Sequence, residues 1–179
     1  MTERFTLSQR EIKGQSIMAV VDALSIIQER ALKILAEQGI TPLEKERWYP
    51  MERFLEVFRT IQKEIGVNTI KAVGRKIPEN AMFPPNIVTL EDGFRSIDVA
   101  YRMNHRGPGN IGGYHYTRTG ERSARMLCDN PYPCPMDEGL LEAIARRFRP
   151  PESLWARVEH QPGDCRKEGA ASCTYDLSW

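Results

Sequence analysis

Four cysteines offer the most legible chemistry in this chain, and all of them lie in its last third. Cys128 and Cys134 enclose five residues in Cys128-Asp-Asn-Pro-Tyr-Pro-Cys134, and Cys165 and Cys173 enclose seven in Cys165-Arg-Lys-Glu-Gly-Ala-Ala-Ser-Cys173. Two thiol pairs, each at the end of an expected strand, suit two disulfides or one metal ion. Zinc takes thiolates at about 2.3 Å in tetrahedral geometry, so four of them close the site to water and substrate. That arrangement argues for structure or sensing and against hydrolysis. Pro131, Pro133 and Pro135 stiffen the first loop, and Gly163 and Gly169 let the second wrap closely. Both pairs are wider than common zinc knuckles, so ordinary reduced cysteines, an iron–sulfur cluster and a redox disulfide stay open.

The rest of the composition narrows this choice. A chain of 179 residues reads as a single domain, 1–179, that buries roughly 70 % of its unfolded surface without staples. Lys and Arg number 25 against 24 Asp and Glu, so no field favours nucleic acid or anionic membrane. The longest apolar run, Ile17 to Val21, is far too short to span a bilayer, and the first ten residues lack the apolar core of a secretory signal. The expectation is a cytoplasmic protein, where thiols stay reduced and paired cysteines favour metal over disulfides.

The cysteines need elements to position them. Ile17, Val20, Val21, Leu24, Ile27, Ala31, Ile34 and Leu35 recur at three-to-four spacing and predict one helix over 14–38, ended by Gly39. Thr41-Pro42-Leu43-Glu44 has the form of a capping box. A second helix is expected from Pro50 to Ile65, a third from Thr69 to Lys76 closed by Pro78, and a fourth from Thr89, capped through Asp92, to Met103. Glu79 to Asn86, with the proline pair Pro84-Pro85, reads as a loop. After Gly107-Pro108-Gly109 the pattern turns to strands at 113–118 and 122–127. A helix opened by Pro135 follows, and then strands at 153–160 and 174–179. Asp137 and Glu138 in the first turn of that helix complement its macrodipole. The fold class is α+β. A helical part (about 14–106) packs on a strand-rich, cysteine-bearing part (about 111–179), with the C-terminal helix inserted between two strand pairs of an antiparallel sheet.

Over residues 128–179 the order of helix, strand with Glu159, Cys165, Gly169, Cys173 and final strand resembles the end of the 4-vinyl reductase domain. That small-molecule-binding family shares its fold with haem-nitric-oxide-binding domains and a Golgi-transport complex subunit. The resemblance implies a structural zinc ion on Cys134, Cys165 and Cys173. Cys128 is an extra thiol, in place of an acidic fourth ligand or merely nearby. Glu159 lies six residues before Cys165, wider than the family spacing. The haem-binding members carry a helix histidine and a Tyr-x-Ser-x-Arg run. Here Tyr114 and Arg118 fit that run, Tyr116 replaces the serine, and His105 stands at a helix end.

His105, His115 and His160 stand alone, none at metal-ligand spacing from another, and read as satisfied or exposed side chains. No phosphate loop is present, because no Lys-Ser/Thr follows the glycines. The expectation is a non-enzymatic small-molecule-binding or sensory domain. It would hold an apolar or aromatic ligand near Phe94, Tyr101, Tyr114 and Tyr116, with a zinc site on Cys128, Cys134, Cys165 and Cys173. It would act as a homodimer or through a signalling partner protein. The alternative is a haem- or iron–sulfur-containing redox or gas-sensing protein, or an enzyme with reactive thiols.

Overall fold

A computed structural model describes residues 7–80, 84–163 and 165–179. The chain enters through a short strand, β1 (Glu11–Lys13), and turns directly into α1 (Gly14–Ala23). The helix expected over 14–38 is two helices. A 3-10 turn at Ser25–Ile27 separates α1 from α2 (Gln28–Glu37), and Ile26 on that turn is 97 % exposed. The apolar stripe changes phase there, which spacing alone does not register. No helix follows Thr41-Pro42. Instead that segment caps α1: Gly14 N–H donates to the Arg47 carbonyl and Gln15 N–H to that of Lys45, at 2.7 and 2.9 Å. The Tyr49 hydroxyl ties it down, donating to the Pro42 carbonyl at 2.6 Å.

Next come β2 (Trp48–Pro50), α3 (Met51–Glu64), α4 (Val67–Asn80), α5 (Leu90–Asn104) and β3 (His105–Arg106). The strands β2-β1-β3 form a small antiparallel sheet that the sequence did not announce, because strands of two or three residues carry no alternation to read. Thr89 and Asp92 make the expected capping box on α5. Pro78 does not close α4 but sits inside its last turn, two residues before the helix ends. The expected loop at 79–86 begins only after this helix, and its residues 81–83 lie outside the described ones.

The larger sheet contains β4 (Tyr114–Gly120), β5 (Ser123–Cys128), β6 (Arg157–His160) and β7 (Cys173–Ser178), antiparallel in the order β4-β5-β7-β6. The strand expected over 153–160 pairs only over its last four residues. Helix α6 (Cys134–Arg147) is inserted between β5 and β6 and packs most extensively on α4. That packing is close because Gly74 and Gly139 face each other's helix. A Cβ on Gly139 would fall on the Lys71 carbonyl, and one on Gly74 on the Met136 carbonyl. Gly139→Ala gains about 1 kcal/mol of helix propensity but forces two backbones apart, an overpacking cost of roughly 1–3 kcal/mol. The clash wins. The variant is expected to unfold at lower urea, and an unchanged midpoint would contradict this helix contact. The core is continuous from Ile12 and Ile17 through Phe54, Phe58 and Phe94 to Tyr175 and Leu177.

Candidate metal centre

Four elements converge at one end of the larger sheet. Cys134 is the first residue of α6, preceded by Pro133 as its N-cap. His160 ends β6, Cys173 begins β7, and Cys165 precedes the 3-10 turn Arg166–Glu168, which Gly169 closes at φ 93°. Only glycine adopts that backbone without strain. Cys134, Cys165 and Cys173 Sγ and a ring nitrogen of His160 all lie within 4.8 Å of one another. The sulfurs are 3.1 Å (134–173), 3.5 Å (134–165) and 3.8 Å (165–173) apart. All four cysteines are free, and these separations are far from the ~2.05 Å of a disulfide bond. Four ligands about 2.3 Å from one centre stand roughly 3.8 Å apart at the tetrahedral edge, close to what the thiols show. His160 Nε2 is buried and has no hydrogen-bond partner among the described residues.

Cys128 is not in this group. It stands opposite Cys173 in the β5–β7 ladder, on the β5 side, whereas the group gathers on the β6 side of Cys173. Its thiol lies wholly buried, and burial, with Asp137 nearby, pushes its pKa well above the usual thiol value. The fourth corner belongs to His160, which sequence reasoning set aside. The signal was the period-two alternation of β6: Val158 and His160 face inward, while Arg157 and Glu159 are exposed. Glu159, the acidic position of the resemblance, pairs with Arg157 at the surface.

A charged network backs the thiols. Arg166 donates through its backbone N–H and Nε to Cys173 Sγ at 3.3 and 3.4 Å. Its two terminal nitrogens reach Asn130 Oδ1 at 2.6 Å and the carboxylate of Asp137. Burial pushes the Cys173 thiol up, but these Arg166 donors outweigh it and hold the group at about 7. Burial and the two neighbouring thiols push Cys134 up to about 12. Asp137, in the first turn of α6 as expected, is fully buried and also accepts from the Tyr114 hydroxyl at 2.7 Å. Burial works against the Arg166 charge, and Asp137 beside it overcomes that cost and keeps the guanidinium protonated.

Tyr114 connects this network to a cavity of about 70 Å³ between the helical layer and β4, walled by Ile12, Ala19, Phe54, Ile97 and Leu140. Of the four aromatics named from the sequence, Tyr101 and Tyr114 line this cavity and Phe94 and Tyr116 do not. Those two stack on each other, centroids 6.1 Å apart. His105 reaches the cavity wall with both ring nitrogens engaged. Nδ1 lies 2.7 Å from the Tyr101 carbonyl and therefore carries the proton, and Nε2 accepts from the Tyr132 hydroxyl at 2.5 Å. Burial lowers its pKa to about 4. Because the folded value lies below the unfolded one, the unfolded chain binds the extra proton first. His105 therefore contributes stability that is whole above about pH 6.5 and lost as pH falls toward 4, roughly 3 kcal/mol in all. Urea midpoints should fall over that range, and NMR should show His105 titrating near 4. A His105 titration near 6.5 would refute this.

No family model matches the chain, and no curated protein matches it. Solved structures do. An H-NOX protein from S. oneidensis in its Fe(II)NO state aligns over 93 % of this chain and 98 % of its own, at 12 % identity and TM-score 0.69. An I5F mutant of the T. tengcongensis H-NOX covers 93 % and 97 % at 11 % identity and TM-score 0.66. The H-NOX of Shewanella woodyi covers 92 % and 93 % at 14 % identity and TM-score 0.58. The chain has the H-NOX fold. The α+β class and the fold shared with haem-nitric-oxide-binding domains therefore stand, while the 4-vinyl reductase family is not itself matched. No helix among the described residues of this H-NOX-like chain is long and apolar enough to cross a membrane.

Proposed function

We propose that this chain is a small-molecule-binding sensory domain on the H-NOX fold, its C-terminal loops clamped by a structural zinc ion. The observation that carries the metal is the orphaned, buried Nε2 of His160 among three thiols. An unpaired buried nitrogen costs about 1–3 kcal/mol, and ligation removes that cost. Cys134, His160, Cys165 and Cys173 would hold the ion, and a site closed by four protein ligands supplies folding energy rather than a reactive water. Arg166 orients Cys173 and offsets the charge that three thiolates bring.

The likeness to H-NOX structures speaks for the alternative reading, a haem-containing gas sensor, more than for zinc. One similar structure, 13 % identical with TM-score 0.69, is described in terms of haem redox potential and porphyrin distortion. The residues of this chain do not fit that group. The cavity offers about 70 Å³, well short of the roughly 300 Å³ or more of an ordinary ligand pocket. Both nitrogens of His105 are already bonded. Arg118 is exposed and donates to the carbonyls of Gly120 and Glu121, and Tyr114 is committed to Asp137.

Protein purified reduced is expected to be colourless and to carry one zinc per chain. Clearly substoichiometric zinc overturns the metal assignment, and a haem absorption band in the native protein restores the alternative. Signalling through a partner protein or a second copy of the chain is part of the proposal, since a cavity of this size changes little by itself at a distance.

A further inference from the structure

The larger sheet ends at β6, and a groove of about 690 Å³ runs between that strand and α6. Arg75, Arg146, Arg149 and Arg157 line it against one carboxylate, Glu142. Of these four, Arg75 and Arg157 have carboxylate partners among the described residues, and Arg146 and Arg149 have none. Arg149 donates to the neutral Leu154 carbonyl at 2.9 Å, and Glu142 is divided between Arg75 and Lys71. The whole chain has nearly equal numbers of basic and acidic residues, 25 against 24, so this is a local excess of positive charge. Two large apolar side chains stand beside it: Leu154 is 90 % exposed and Trp155 55 %.

The strand itself is open on that side. Gln161 N–H donates to the Thr174 carbonyl at 2.9 Å, and the same register sets Glu159 opposite Asp176 and Val158 opposite Leu177. Bonded and open positions alternate along an antiparallel pair. The backbone of Glu159 therefore turns to β7, and that of Val158 turns to the free edge, where Val158 lines the groove. The opposite edge is treated differently. There β4 carries a bulge between Arg118 and Gly120, a common protection against strand addition. The register of β6 is unbroken.

We infer that this edge docks an acidic, extended segment of a partner protein, added as a further strand on β6, with carboxylates on Arg146 and Arg149 and an apolar side chain against Leu154 and Trp155. Main-chain bonds to an open edge give such a segment its affinity, and the side chains around it give specificity. A nucleic acid would find the charge but leave the open peptide groups unused. A second copy of the chain, docked edge to edge about a two-fold axis, would bring the same arginines face to face. The inference rests on the signalling part of the reading above and names the kind of partner for it.

The test titrates a short peptide of alternating Glu and Val into isotope-labelled full-length protein with its metal, followed by NMR. Saturable shifts at Val158, Trp155 and Ala143 are expected, weakening as salt is raised. The same peptide with Lys for Glu should give none, and one with alternate amides N-methylated should bind about tenfold more weakly or worse. Arg146 is exposed and has no ion-pair partner to lose, so Arg146→Glu should fold normally and bind about threefold more weakly or worse. Arg146→Glu/Arg149→Glu should lose about tenfold or more. Equal binding of the Lys peptide, or of an oligothymidylate, overturns the acidic-peptide class. Unchanged affinity for the N-methylated peptide overturns strand addition, and unchanged affinity of both arginine variants overturns the location. No saturable shift with the acidic peptide overturns the inference altogether. The zinc content of the same sample reads the metal assignment separately, so the two can fail independently.

Discussion

Cys173→Ser is expected to lose the metal and to melt about 8–16 °C lower than the unaltered protein. A ligand bound at about a thousand times its dissociation constant stabilises by about 4 kcal/mol, and each kcal/mol is worth about 2–4 °C in a domain of this size. Two companion variants separate the possible ligand sets. His160→Ala should lose metal as well, because its Nε2 completes the group with Cys134, Cys165 and Cys173. Cys128→Ala should keep one metal per chain, since Cys128 lies on the far side of Cys173 in the ladder. Metal analysis with parallel thermal melts reads all three. Metal retained by His160→Ala, or lost by Cys128→Ala, would restore a four-thiolate site and refute the histidine ligand.

The second large effect comes from the buried ion pair. Asp137 is fully buried, and the Arg166 side chain is 11 % exposed. Asp137→Asn removes the carboxylate bonded to that guanidinium and turns an amide N–H or a neutral oxygen toward it. Breaking a buried pair by removing one partner costs about 3–5 kcal/mol, so a fall in melting temperature of about 10 °C is expected. In metal-free protein the double variant Asp137→Leu/Arg166→Met should be more stable than Asp137→Asn alone, because it leaves no guanidinium buried without its carboxylate. Additive losses in the double variant would show that packing, and not the charge, dominates. The network also ties Tyr114, at the cavity, to Cys173, at the metal group, through two buried side chains. Removing the ion pair is therefore expected to loosen the thiol end as well as the core.

Local residue patterns suffice for the α+β class, the capping box at Thr89 and Asp92, and the gathering of chemistry at the C-terminal cysteines. Each of these is written in local spacing. Helix periodicity, capping offsets and the alternation of β5 and β7 need no distant partner to be read. Three of the four expected metal ligands, Cys134, Cys165 and Cys173, also converge in space. Tertiary structure decided the rest. His160 looks isolated in sequence because its partners come from α6, the turn after Cys165 and the start of β7, and only the sheet order β5-β7-β6 puts it among them. The same order sends Cys128 to the other side of Cys173. Asp137 reads as a helix-dipole charge until Arg166 arrives from 29 residues away. The cavity contains Tyr101 and Tyr114 but not Phe94 and Tyr116, since which aromatics meet across a core depends on how the layers pack. Ladder position and long-range burial decide such questions, and neither leaves a mark in local spacing.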